Sequence, residues 1–245
     1  MSTVELLSVH VPKTAGTAFR NVLEGVYGAE RIHTVYPTAG DSQTAELEDE
    51  RWLADSLALC RRRGDGPRVV HGHYLLTWYA DRFPDALKIT WLRHPVDRLT
   101  SFYYMWREMD PWPASSPLQL AVREGRLDLL GLARSPAIRD QVTTRFLGDP
   151  GGSGLAFIGL QERFDEDLER LGELLEWPRV SAPRSNVNSS QAYSDRSVDG
   201  DLRAEIARLN PADMSLYEAV LERRWQPTRS GTAAARPRFR RARRR

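Results

Sequence analysis

Five residues of this chain combine a reactive type with a suggestive neighbourhood: Lys13, His71, His73, Arg93 and Ser101. Lys13 sits in Val9-His10-Val11-Pro12-Lys13-Thr14-Ala15-Gly16-Thr17-Ala18-Phe19. An apolar strand, Val4 to Val11, runs into a tight turn of small residues. A helix then starts near Thr17 and carries Phe19, Val22, Leu23 and Val26 at helical spacing. Strand, small-residue loop and helix aim backbone N–H groups at a phosphate-like anion, and Lys13 adds a point charge there. The chain has two lysines, Lys13 and Lys88, against 33 arginines. The nucleotide P-loop pattern G-x-x-x-x-G-K-[ST] does not fit, because the lysine precedes the glycine and no glycine lies five residues before it. The segment reads as an anion cradle that is not an ATPase cradle, or as an ordinary strand–helix turn closed by Gly16.

A second segment has a matching design. Ala86 to Leu92 is a buried-strand pattern that ends in Arg93-His94-Pro95-Val96-Asp97-Arg98-Leu99-Thr100-Ser101. Pro95 stands where a helix would begin, in the first turn that tolerates proline. Arg93 at the strand end and Ser101 about two turns into the helix would converge on one phosphate, with an arginine fork and a hydroxyl as the clamp. His71-Gly72-His73 ends a third strand pattern, Arg68 to Tyr74.

Together, Pro12-Lys13-Thr14-Ala15-Gly16-Thr17 and Arg93-His94-Pro95-Val96-Asp97-Arg98-Leu99-Thr100-Ser101 resemble the sulfotransferases that use 3′-phosphoadenosine 5′-phosphosulfate (PAPS). The flavour is that of the carbohydrate branch, in particular heparan sulfate 2-O-sulfotransferase-like proteins. The resemblance implies that Lys13, Thr14, Ala15, Gly16, Thr17 and Ala18 hold the 5′-phosphosulfate. It implies that Arg93 and Ser101 hold the 3′-phosphate, and that Asn188 belongs to a loop folded over the nucleotide. Lys13 would then neutralise charge on the leaving phosphate, a role of the oxyanion-hole kind. The acceptor proton needs a histidine or carboxylate at the carboxyl edge of the sheet. By resemblance His73 is that base and His71 its support, with Glu162 as the carboxylate alternative. An imidazole pKa near ~6.5 suits proton removal at neutral pH. His94 reads as a spacer and His10 as a packing residue. The segments Tyr74 to Tyr79 and Tyr103 to Trp106 would either wall an acceptor cleft or belong to the core. No metal is implied, and no cluster has metal-ligand spacing. The readings from other classes are a P-loop-type small-molecule kinase and a catalytically inactive nucleotide- or anion-binding module.

These residues need elements to hold them. Tyr27 to Asp41 reads as loop, and Ala45 to Arg63 as an amphipathic helix with Leu47, Trp52, Leu53, Leu57 and Leu59 on or near its buried face. Pro95 to Met109 is helical, and Ser135-Pro136 heads a helix to about Phe146. Leu155 to Leu160 is a strand. Glu162 to Trp177 is a helix with Phe164, Leu168, Leu171, Leu174 and Leu175 as its apolar stripe. Residues 178–198 are irregular, and two helices follow, near Leu202–Leu209 and Pro211–Arg224, the second capped by Asn210. Strands alternating with helices predict an α/β fold: a P-loop-like parallel sheet with helices on both faces, plus C-terminal helices.

Composition sets the outer bounds. With 245 residues, 41% hydrophobic and 28% charged, the chain suits one domain, residues 1–228, with a sizeable core. No run of about 18 apolar residues exists to span a membrane, and the start has no signal-peptide character. A single cysteine, Cys60, excludes an intrachain disulfide, and the cytoplasm is the expected compartment. Residues 229–245 hold eight arginines and no acid, which predicts a disordered basic tail. Nucleic acid is not the expected partner, since only that tail is basic and the body carries 27 basic against 33 acidic residues. The acceptor expected is a small molecule or glycan hydroxyl. A net-negative body disfavours a heavily sulfated polysaccharide.

Overall fold

Leu6 and Leu7 are both fully buried although neighbours in a strand point to opposite faces, so the first strand is covered on both sides. The computed structural model describes residues 4–36, 50–60, 66–108, 116–148, 154–178 and 198–222. Asn188 and the arginine-rich stretch 229–245 lie outside the described residues. Five strands, β1 (Leu6–Val9), β2 (Ile32–Val35), β3 (Val69–Gly72), β4 (Leu87–Leu92) and β5 (Leu155–Leu160), form one sheet in the order β2-β3-β1-β4-β5. Every pairing in it is parallel. All carboxyl ends therefore share one edge, and the strand order reverses about β1, where open α/β sheets bind their ligands.

Helix α1 (Gly16–Tyr27) buries Phe19, Val22 and Leu23 on one face of the sheet, beside Leu168 and Leu171 of α7 (Phe164–Leu174). On the other face lie Leu57 of α2 (Glu50–Cys60), Leu76 and Tyr79 of α3 (Leu76–Ala80), and Leu216 and Tyr217 of α9 (Pro211–Leu221). A third apolar cluster joins α4 (Pro95–Glu108) to α5 (Pro117–Arg123), α6 (Leu129–Arg134) and α8 (Gly200–Leu209), around Phe102, Trp106, Leu132 and Ile206. The fold is α/β and P-loop-like, with helices on both faces of a parallel sheet. Among the described residues no helix is long and apolar enough to cross a membrane.

Several local expectations change. The stretch Tyr27 to Asp41, read as loop, contains β2. That strand is four residues long and buries fully only Val35, too weak a pattern to stand out. Strand β1 spans Leu6–Val9, shorter than Val4 to Val11. Leu59 and Leu174 are exposed, at 42% and 48%. Each lies off the stripe set by Leu57–Cys60 and by Leu168–Leu171–Leu175, because one residue of a helix turns the side chain by about 100°. The helix expected from Pro136 to Phe146 is cut short: residues 136–140 form a turn with Asp140 at φ 48, and a π-helix follows over Val142–Leu147.

That interruption has a tertiary cause. The Asp140 carboxylate accepts the N–H groups of Ala212 (2.8 Å) and Asp213 (2.9 Å), so it caps α9 from some seventy residues away. Asn210 occupies the cap position but spends its side chain elsewhere, accepting from Asp140 N–H and donating to the Ile206 carbonyl. Asp213 returns the favour, accepting from the Val142 and Thr143 N–H groups and from the Thr143 hydroxyl. Burial raises the Asp213 carboxyl above its ordinary value, opposed by the guanidinium of Arg98, itself buried on α4. Asp213→Ala leaves that charge without its carboxylate. The expected loss is about 3–5 kcal/mol of unfolding free energy in urea titration, and a loss under ~1 kcal/mol would sink this account.

Candidate active site

The loop after β1 is held by unusual backbone. Lys13 (φ 70) and Ala15 (φ 65) both adopt left-handed conformations, which cost non-glycine residues energy and turn successive N–H groups toward one point. The Thr14 hydroxyl donates to the Val11 carbonyl at 2.8 Å and is fully buried, so it stabilises the loop and leaves only its N–H for an anion. Helix α1 begins at Gly16 with Ala15 at its cap and no side-chain cap. The first-turn N–H groups of Gly16, Thr17 and Ala18 thus belong to a helix end that no side chain of the cap closes. Thr17 is exposed and Ala18 half-buried.

The two anion segments meet across the β1–β4 edge. Lys13 Nζ lies 3.6 Å from Met105 Sδ, and Met105 stands one turn beyond Ser101 on α4. Burial and, second, the charge of Arg93 lower the Lys13 ammonium to about 8. Arg93 leaves the end of β4 and is buried, and burial lowers its guanidinium against the opposing pull of Asp97 and Glu162. Ser101 is fully buried, and its Oγ has no hydrogen-bond partner among the described residues. A buried hydroxyl without a partner costs about 1–3 kcal/mol, a cost that a bound oxygen acceptor would remove. Glu162, at the end of β5, accepts the His94 N–H at 2.7 Å and so caps α4. That contact assigns it to the scaffold of Arg93.

The histidines form one cluster. Ser8 Oγ lies 2.9 Å from His71 Nδ1, which anchors His71 inside the sheet. Gly72 (φ 151) follows, where a Cβ would overlap the Val35 carbonyl oxygen. Only glycine lets β3 close on β2 there, and the close approach lets His73 N–H donate to that same oxygen at 2.8 Å. His10 stacks on His71 (centroids 5.5 Å, 8° between planes) and leans on His73 (4.5 Å). A Cβ on Gly16 would overlap the His10 ring, so this residue, expected only to pack, dictates the glycine that opens α1. Tyr36, just past β2, meets His73 edge-on at 4.8 Å. Burial holds His71 and His73 well below the ordinary imidazole value and His10 at about 3. Both ring nitrogens of His73 are buried with no hydrogen-bond partner among the described residues. No group of three or more histidine, cysteine or carboxylate side chains among those residues is arranged to hold a metal ion.

The structure therefore gathers Lys13 to Ala18, His71, His73, Arg93 and Ser101 on one sheet edge. Sequence reading missed Tyr36 and undervalued His10. The signal for His10 was its place between β1 and the Lys13 loop, whereas Tyr36 lay in a stretch without periodicity. The aromatic segments mostly resolve to core: Tyr74, Tyr79 and Trp106 are fully buried and Tyr103 nearly so.

No family model matches the chain, and none of the curated proteins does. Among solved structures, mouse sulfotransferase SULT7A1 complexed with PAP is similar at TM-score 0.44 and 17% identity, covering 84% of this chain and 63% of that one. A sulfotransferase from Alicyclobacillus acidocaldarius is similar at TM-score 0.47 and 16% identity, covering 89% of this chain and 96% of its own. Both likenesses are remote, and the functional reading rests on the geometry of this chain.

Proposed function

We propose that the chain is a PAPS-dependent sulfotransferase acting on a hydroxyl, with a glycan or small glycosylated metabolite as the favoured acceptor. The observation that carries this reading is the meeting of a strained, uncapped loop bearing Lys13 with the β4–α4 segment, which bears Arg93 and a Ser101 whose hydroxyl has no hydrogen-bond partner among the described residues. Two anion clamps at one edge suit a donor with phosphate at two positions, and these residues fit it. When bound, the donor supplies the sulfuryl group. The loop N–H groups and Lys13 would hold the phosphosulfate end, and Arg93 with Ser101 the 3′-phosphate. Lys13 contributes positive charge where charge grows on the leaving oxygen. His73, neutral and without a hydrogen-bond partner at either nitrogen among the described residues, would take the acceptor proton, and His71 would fix its strand.

A small-molecule kinase would need ATP and Mg²⁺, and the loop lacks the lysine and glycine positions of that cradle. Thermal shift with adenosine 3′,5′-bisphosphate against ATP with Mg²⁺ separates the two readings. Stabilisation by the first alone supports sulfuryl transfer, and stabilisation by ATP with Mg²⁺ alone overturns it. Arg93→Ala and Ser101→Ala should weaken adenosine 3′,5′-bisphosphate while leaving an analogue without the 3′-phosphate unchanged. Arg93 should cost more, as the charge-assisted donor, by about 1.5–3 kcal/mol. Equal losses for both ligands in calorimetry would overturn the 3′-phosphate assignment.

A further inference from the structure

We infer that Tyr36 is a positioning residue that acts through His10: its hydroxyl donates to His10 Nδ1 and so fixes the tautomer and orientation of an imidazole that lies between the Lys13 loop and His73. The inference rests on the reading of His73 as the base and adds the pair that keeps it usable. The two side chains lie at 2.9 Å, Tyr36 Oη to His10 Nδ1. Of the two, the phenol is the stronger acid and hence the better donor, and burial with a hydroxyl raised to about 12 keeps its proton in place. Accepting that proton leaves His10 with its hydrogen on Nε2.

His10 faces charged or titratable groups from every element around it. Lys13 comes from the loop, His71 and His73 from the end of β3, and Tyr36 from the end of β2. Arg20 of α1 acts on both Tyr36 and His71. The charged members, Lys13 and Arg20, are both cations. A protonated His10 would place a third positive charge against the ring of His73 at 4.5 Å, and that charge would oppose proton uptake by the base. Burial and the Lys13 charge keep His10 neutral, and the Tyr36 hydroxyl at Nδ1 fixes which nitrogen carries its hydrogen. The Tyr36 ring adds a second restraint, because it meets His73 edge-on while His10 leans on the same ring. Between them they orient a base that, among the described residues, has no hydrogen-bond partner on either nitrogen.

The test has two arms. Imidazole ¹⁵N NMR on the ligand-free protein should show His10 unprotonated at Nδ1, with hydrogen on Nε2, between about pH 5 and pH 8. In Tyr36→Phe, which keeps the ring and the fold, His10 should stay neutral but lose its single tautomer, with hydrogen appearing on Nδ1. Sulfation kinetics should show kcat down by about 10- to 100-fold with the donor KM unchanged. A hydrogen on His10 Nδ1 in the wild type, or an unchanged His10 tautomer in Tyr36→Phe, overturns the inference. If neither protein sulfates any acceptor, the sulfotransferase reading fails, and the NMR arm still decides whether Tyr36 controls His10.

Discussion

Replacing His73 with alanine is expected to lower turnover by roughly 10²–10⁴-fold while adenosine 3′,5′-bisphosphate binds as before, because a general base acts on the acceptor and not on the donor nucleotide. The structure also relocates the pH dependence. An unperturbed imidazole would place the rise in turnover near pH ~6.5. Burial first, then repulsion that any proton on His10 or His71 would add, pushes His73 well below that value. Its neutral form is then the populated one above the lowered value. The rise with pH should fall on the acid side of 6.5, turnover should be flat through neutrality, and the limb should be absent from His73→Ala. His71→Ala should cost less, since His71 is bonded to Ser8 inside the sheet and takes no proton from the acceptor. An acid limb that persists in His73→Ala would show that another group is the base. Full activity in that variant, together with an inactive Glu162→Gln, would transfer the role to the carboxylate, against its present duty of capping α4.

Lys13→Ala should reduce kcat by roughly 10²–10³-fold, the scale measured when one preorganised oxyanion donor is removed. Donor affinity should change far less, because the charge matters most when the leaving oxygen becomes anionic. A second signature follows from its environment. Burial and Arg93 lower Lys13 to about 8, so in the free protein the ammonium is lost as pH rises through that value. The kcat/KM for the donor, which reports the free enzyme, should therefore fall above about pH 8 in the wild type. In Lys13→Ala that alkaline limb should vanish along with most of the rate. A rise in donor KM with kcat intact would mean that Lys13 binds the ground state and has no special role in the transition state.

Much of the candidate site was legible in the sequence. Lys13 to Ala18, Arg93 and Ser101 are contiguous or one helix apart in their own segments, and local rules of strand, turn and helix read such segments well. The continuous apolar pairs Leu6–Leu7 and Val69–Val70, buried on both faces, and the proline opening α4 carry the parallel sheet in the same local way. β2 escaped because an edge strand of four residues needs only one fully buried side chain. The helix through Asp140 was misread because its interruption is imposed from residues 210–213, far along the chain.

Fold class, the two candidate anion segments and the histidine pair could be read from residue types at short fixed spacings. How those parts meet depends on packing between distant segments. That packing placed Lys13 against the helix of Ser101, spent the Thr14 hydroxyl within its own loop, and turned Glu162 into a helix cap. It also stacked His10 between Gly16 and His73, with Tyr36 beside them. The physical reason is that burial and pairing are properties of what packs around a group. His10, His71 and His73 are ordinary imidazoles in the sequence. They become neutral, low-pKa rings only where the ends of β1, β2 and β3 bring them together and exclude water.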